Sequence, residues 1–212
     1  GWSLDLPAIE RSTRAGIPRV DGPGVWQLRH LGDGEELTET APGVYRQRIE
    51  QGAPIVVRTL PGGAMSALAT DGTGYLFGLT EDARLVGDAG PVRLELSAIT
   101  DVHGNRIDFA YTRQAGSDAP LLTSITWNEG RARVVLDYEA RPDILVSHAT
   151  GRRVALAHRL AEIRTEVAGE AVRTTTLTYA RSVEAPSSRL ATIATVAAHG
   201  ADHVLTIGDG AG

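Results

Sequence analysis

Glycine and proline interrupt this chain at short intervals, 24 and 10 of them in 212 residues, and the pieces between are brief runs rich in Val, Leu, Ile, Thr and Tyr. An amphipathic helix needs about 10–12 uninterrupted residues of 3.6 periodicity, whereas a strand needs only about 4–8. Glycine and proline also weaken helix interiors and mark turns. The punctuation therefore predicts an all-β fold. Strands are expected at 25–30, 44–49, 55–59, 75–79, 92–102, 106–112, 121–127, 133–138, 154–166, 172–179, 190–197 and 203–207.

The second half repeats itself, most strongly over 92–207. The tetrad L-x-x-I occurs as LSAI (96–99), LTSI (122–125), LAEI (160–163) and LATI (190–193). Each is followed by a glycine-containing break and a second apolar segment: DFAYT, VLDYE, TLTYA and VLTIG. The first three end at Tyr111, Tyr138 and Tyr179. The unit is strand, turn, strand, and its irregular spacing fits hairpins joined by loops of varying length better than a solenoid. ALAHRLAEIRTEV has no Gly or Pro and places Leu156, Leu160 and Ile163 at helical spacing. Its three sister tetrads lie in strand contexts, which decides for a strand there too.

TDVHGNRIDFAY (100–111) gathers Asp101, His103 and Asn105 within five residues. With Gly104 and Asn105 as the centre of a two-residue turn, Val102 faces Ile107, Asp101 faces Asp108, Thr100 faces Phe109 and Ala98 faces Tyr111. Val102, Ile107, Phe109 and Tyr111 then share an apolar face, and His103, Arg106, Asp101 and Asp108 a polar one. Ile99 falls on the polar side, which points to a bulge or to cover from a neighbour. A catalytic histidine needs an orienting partner and a nucleophile or metal in reach, and the sequence signals neither.

All 21 basic residues are arginine, so P-loop, kinase and Schiff-base lysine chemistry is excluded. The absence of cysteine excludes disulfides, thiolate catalysis and cysteine-bound zinc. A net charge of -5 with interspersed signs provides no basic face for nucleic acid, and no apolar run reaches the ~20 residues of a membrane span. His199 and His203 flank Gly200 without an HExxH acid and read as a turn. GTGYLFG (72–78) precedes a strand, so no helix dipole is available to hold a phosphate. Glu35, Glu36, Glu81 and Asp82 read as solvated acids, since nothing places two of them at a glycosidase separation. Trp2, Trp26 and Trp127 offer sugar-stacking surfaces but more often pack a core. No catalytic, cofactor or metal residue is assigned.

Six blocks in order resemble the N-terminal region of the SpvB family, which includes a virulence-plasmid toxin and the B component of insecticidal toxin complexes. They are GWSLDLPAIERSTRAGIPRVDG, VWQLRHLGDGEEL, VYRQRIE, DGTGYLFGLTEDARL, LELSAITDVHGNRIDFAY and RVVLDYEARPD, and the match extends over residues 1–193. The glycine-rich lead-in usual before GW is missing, and GGAMSAL stands where the family carries an aromatic. The resemblance implies successive antiparallel hairpins forming a large curved sheet, a single β domain over 1–212 cut from a longer secreted protein with a cytoplasmic stage before export. It implies a non-catalytic module of a shell continued by Rhs or YD-type hairpins, with the rest of the parent toxin chain, other toxin-complex components and an encapsulated effector as partners. The other arrangement it implies is a region preceding an actin-modifying ADP-ribosyltransferase domain. A carbohydrate- or receptor-binding β domain is the alternative function, and an enzyme assembled from dispersed residues a further one. A sheet cut from its neighbours leaves unpaired edges, so the isolated piece is expected to self-associate.

Overall fold

The computed structural model describes residues 4–14, 16–17, 25–31, 35–49, 54–88, 90–181, 187–198, 200 and 202–207. Among them lie sixteen strands and two single 3-10 turns. The strands are β1 (Ala8–Arg11), β2 (Trp26–Arg29), β3 (Leu37–Ala41), β4 (Val44–Gln47), β5 (Val56–Thr59), β6 (Met65–Leu68), β7 (Gly74–Phe77), β8 (Arg84–Gly87), β9 (Gly90–Thr100), β10 (Arg106–Thr112), β11 (Leu121–Trp127), β12 (Ala132–Ser147), β13 (Val154–Val167), β14 (Glu170–Arg181), β15 (Ser188–Ala197) and β16 (His203–Thr206). All pairings are antiparallel, in one curved, open sheet. The expected strands at 106–112 and 121–127 match β10 and β11 residue for residue, and the LAEI segment is a strand, β13.

β9 organises the molecule because its two halves have different neighbours. Its first half pairs with β1 and β8, and its second half with β7 and β10. Strands β3 to β7, β9, β1 and β2 curl round until β2 meets the residues before β3, through a Gln27–Glu36 bridge and a Leu28 N–H to Glu35 carbonyl bond of 3.1 Å. The best-buried side chains fill this curl: Ile9, Leu28, Val57, Phe77, Leu94 and Leu96. From the second half of β9 the hairpins β10 to β16 extend as an open wing.

The tetrads prove to be bulge signatures. Leu and Ile three apart on a regular strand would face opposite ways. Here the second tetrad residue is extra: Ser97, Thr123, Ala161 and Ala191 each lie at a register shift with no partner of their own. The insertion returns both apolar side chains to one face. One pattern then repeats four times, the tetrad leucine lying opposite an aromatic ring and the tetrad isoleucine opposite the residue two before that ring. The leucine pairs are Leu96 with Phe77, Leu122 with Tyr111, Leu160 with Tyr138 and Leu190 with Tyr179. The isoleucine pairs are Ile99 with Tyr75, Ile125 with Phe109, Ile163 with Leu136 and Ile193 with Leu177. An L-x-I sequence would give the same pairs without a bulge, so what the extra residue adds is local twist and bend.

The hairpin at 100–111 differs from the two-residue turn expected. Arg106 faces Thr100, Ile107 faces Ile99 and Asp108 faces Ala98. The loop is Val102-His103-Gly104: Gly104 N–H donates to the Asp101 carbonyl at 3.1 Å and Asp101 N–H to the Asn105 carbonyl at 3.0 Å. This is the three-residue loop in which the last position is left-handed, and Gly104 occupies it at φ 85°. The Asp101 carboxylate fixes the loop by accepting from the backbone N–H groups of His103 and Asn105 and from the Asn105 amide. Ile99 thus joins the apolar face with Ile107, and Val102, expected there, is exposed at the tip.

Candidate functional site

A concavity of about 990 Å³ lies along the face of the wing that carries the tyrosines. β9 contributes Arg93 and Glu95 to its wall, and the chain before β1 contributes Leu4 and Leu6. Tyr111, Tyr138, Tyr179 and Ile207 succeed one another along it from β10 to the end of β16. The tyrosines are placed by the repeat, because the ring opposite each tetrad leucine must lie on the leucine's face.

Their hydroxyls are not equivalent. Tyr138 donates to the Leu122 carbonyl at 2.8 Å and Tyr179 to the Leu160 carbonyl at 2.5 Å, each reaching the leucine of the preceding tetrad. Tyr111 does not make the corresponding bond, and its buried hydroxyl has no partner among the described residues. Burial raises the pKa of Tyr111 strongly and pushes that of Tyr138 up to about 12, so both are neutral donors at ordinary pH. Tyr138→Phe and Tyr179→Phe are each expected to cost about 1 kcal/mol in urea unfolding, while Tyr111→Phe should be neutral or stabilising because it removes an unsatisfied polar atom. Equal losses for all three would contradict this reading of the hydroxyls.

Three arginines of the trough are paired with carboxylates in place. Arg93 bonds Glu95 at 2.8 Å and Glu10 at 3.1 Å, and Arg141 bonds Asp143 at 3.0 Å. Arg159 bonds Glu139 at 2.7 Å and the Ser188 hydroxyl at 2.6 Å, and stacks on the Tyr179 ring at 4.2 Å. The Ser117 hydroxyl lies 3.0 Å from His158 Nδ1 and accepts the Ala157 N–H. The neighbouring Asp118 instead accepts the Ala155 N–H at 2.7 Å and pairs with Arg152. Ser117 and Asp118 therefore pin the loop before β11 to the edge of β13, without the carboxylate–imidazole contact of a nucleophilic triad. No sequence motif marked this pair; the sheet brings together residues far apart in the chain.

The residues singled out in the sequence are dispersed. Asp101 and Asn105 are tied into their loop and His103 sits exposed at its tip. Trp26 is buried with the Arg11 guanidinium 3.8 Å from its ring centroid, and Trp127 is half-buried at the end of β11. Glu36 is engaged by Ser12 and Arg48, and Glu81 and Asp82 sit in a 3-10 turn after β7. Gly72 precedes β7 in a turn braced by the Asp71 carboxylate on Thr73 N–H. His203 is exposed on β16; Trp2 and His199 lie outside the described residues. No group of three or more metal-ligating side chains occurs among the described residues.

The fold is shared with proteins of known structure. The N-terminal domain of effector protein SpvB from Salmonella typhimurium strain LT2 superposes with a TM-score of 0.79 at 16% identity, covering 94% of this chain and 89% of that one. The chain has the fold of the SpvB N-terminal domain. The same SpvB fold recurs in the TcdB2-TccC3-Cdc42 crystal structure, with a TM-score of 0.74 at 15% identity over 97% of this chain. It recurs again in the Photorhabdus luminescens Tc holotoxin pore carrying TccC3-D651A, with a TM-score of 0.73 at 16% identity. In each of these two the chain spans only 14% of the larger polypeptide. No protein-family model and no curated protein sequence matches the chain.

Proposed function

We propose that this SpvB-fold chain is a non-catalytic structural module of a bacterial toxin or Rhs-like secreted protein, one part of a β shell that encloses or delivers a toxic effector. The observation that carries the reading is the open wing of bulged hairpins, in a fold that recurs within much longer toxin-complex chains. A shell wall needs a sheet that curves steadily and can be extended, and repeated bulges provide the bend. The partners are then the remainder of the parent chain, other toxin-complex components and the enclosed effector, and the destination is extracellular after a cytoplasmic stage. The paired charges of the trough fit a structural role better than a catalytic one.

The structural likeness to the SpvB N-terminal domain supports a second arrangement, a compact module placed before a toxin domain such as an ADP-ribosyltransferase. Electron cryo-microscopy of the full-length gene product separates the two. A hollow particle with this segment in its wall is expected; a compact module tethered to a separate folded domain would replace the shell reading with the second.

A further inference from the structure

The loop between β10 and β11 is longer than a hairpin connection requires. Antiparallel neighbours are commonly joined by about 2–5 residues, whereas β10 ends at Thr112 and β11 opens at Leu121, leaving the eight residues 113–120 between them. The extra length reaches β13, which neighbours neither strand in the sheet. Arg113 fastens the start of the loop by donating to the carbonyls of Glu81 and Arg84, each at 2.8 Å. Further on, the Ser117 N–H donates to the Gln114 carbonyl at 2.9 Å, and Asp118 pairs with Arg152 at 3.8 Å.

β13 has an edge for this loop to cover. Among the described residues its ladder to β14 spans 162–167 and stops, while its ladder to β12 continues down to Val154. Ala155 stands opposite Val146 of β12, yet its N–H donates to the Asp118 carboxylate at 2.7 Å and its carbonyl accepts the Asp118 N–H at 2.8 Å. Both groups therefore point away from β12, to the edge that β14 has left. The Ala157 N–H donates to the Ser117 hydroxyl oxygen at 2.9 Å. Two side-chain oxygens and one backbone N–H thus take the places of a strand's carbonyls and amide. Both alanines are covered, 1% and 9% exposed.

We infer that the 113–120 loop is an edge guard, which keeps residues 154–161 of β13 from pairing antiparallel with the same residues of a second copy of this chain. VALAHRLA carries no proline and no acidic residue to repel an incoming strand. Its outward backbone groups recur at every second residue, so two such edges related by a two-fold axis satisfy each other. A loop laid over the edge removes that opportunity, and does so with side chains that cannot themselves extend the ladder.

The test releases the loop and then ties it down again. In the 212-residue chain, Ser117→Ala with Asp118→Ala removes both side-chain acceptors. A second protein adds Gly116→Cys and Ala157→Cys. The parent has no cysteine, and a Cβ placed on Gly116 lies 3.5 Å from the Ala157 Cβ, within the span of a disulfide. Sedimentation equilibrium should show self-association at least about ten-fold tighter than the parent's for the double-alanine chain and for the reduced cysteine protein. Oxidation should return the latter to within about two-fold of the parent. Backbone amides at 155 and 157 should exchange hydrogen faster in the released monomer and regain protection as its concentration rises. Oxidised and reduced forms are one polypeptide, so strain from a side chain at Gly116, φ 83°, is common to both. Contacts through other surfaces are common to all these chains and drop out of the comparison. Circular dichroism checks the fold, and Asp118→Ala alone is the milder variant should the pair disturb it, with the same direction expected. Association unchanged by the alanines, association that oxidation does not reverse, or association that leaves positions 155 and 157 exchanging freely would overturn the inference.

Discussion

Phe77→Ala is expected to destabilise the protein by about 3–5 kcal/mol, the range for truncating a buried aromatic side chain. Phe77 is fully buried and lies where the two parts of the molecule meet. Within the curl its β6 partner is Met65, and across β9 its partner is Leu96, the first residue of the first tetrad. The cavity cannot readily collapse, because the backbone on one side is held by the β6 ladder and on the other by the Ser97 bulge. Ser97 is itself anchored, its hydroxyl accepting the Leu79 N–H at 3.1 Å. Phe77→Leu, which retains much of the volume, should cost well under half as much. Urea unfolding followed by far-ultraviolet circular dichroism measures both, and an alanine variant within 1 kcal/mol of the parent would show that this junction does not carry the core.

The parts of the fold that sequence reasoning reached, and those it missed, divide along a physical line. Hairpins of the wing were legible because β-branched runs alternate between glycine-bearing turns over lengths suited to a strand. β1, β3, β6 and β8 were not. AIER, LTETA, MSAL and RLVG are four or five residues long and carry little alternation of their own. They are strands because the curl brings a partner alongside, and tertiary pairing outweighs local preference. β12 runs past its expected end at 138 to Ser147 by absorbing Pro142 into an irregular stretch where no ladder N–H is needed.

The register of the 100–111 hairpin failed for a local reason. Glycine followed by asparagine suits a two-residue turn, but Asp101 reaches three donors around a three-residue loop and wins. The misplaced Ile99 was the clue, since an apolar residue on the wrong face is what a bulge produces. The tetrad was visible as a repeat, yet its meaning required the pairing partners. The Ser117–His158 contact had no sequence signal, because it depends on a loop crossing to a strand that follows much later in the chain.

The second large effect is expected at Asp143. Arg141 and Asp143 form an ion pair whose side chains are only 12% and 9% exposed, inside the irregular stretch of β12 where residues 141–144 stand against Ala157 alone. The carboxylate accepts the Ser188 N–H at 2.6 Å and the Ser188 hydroxyl, so it fastens β12 to the first residue of β15. Asp143→Asn leaves the Arg141 guanidinium with a neutral partner in a poorly solvated place. Removing one member of a buried pair typically costs about 3 kcal/mol or more.

The pH dependence provides the sharper test. The Arg141 hydrogen bond holds the Asp143 carboxyl well below the usual carboxylate range, against the opposing effect of desolvation and with help from Ser188. The native state therefore binds fewer protons at this group than the unfolded chain, whose carboxyl titrates near pH 3.9. Its stabilising contribution is complete above that value and is lost progressively as pH falls towards the depressed native pKa. In urea titrations the gap between the parent chain and Asp143→Asn should be widest near pH 6 and narrow steadily below about pH 4. Other acids titrate in both proteins alike, so the difference isolates this carboxylate, and a gap unchanged down to pH 3 would show that Asp143 does not act through its charge.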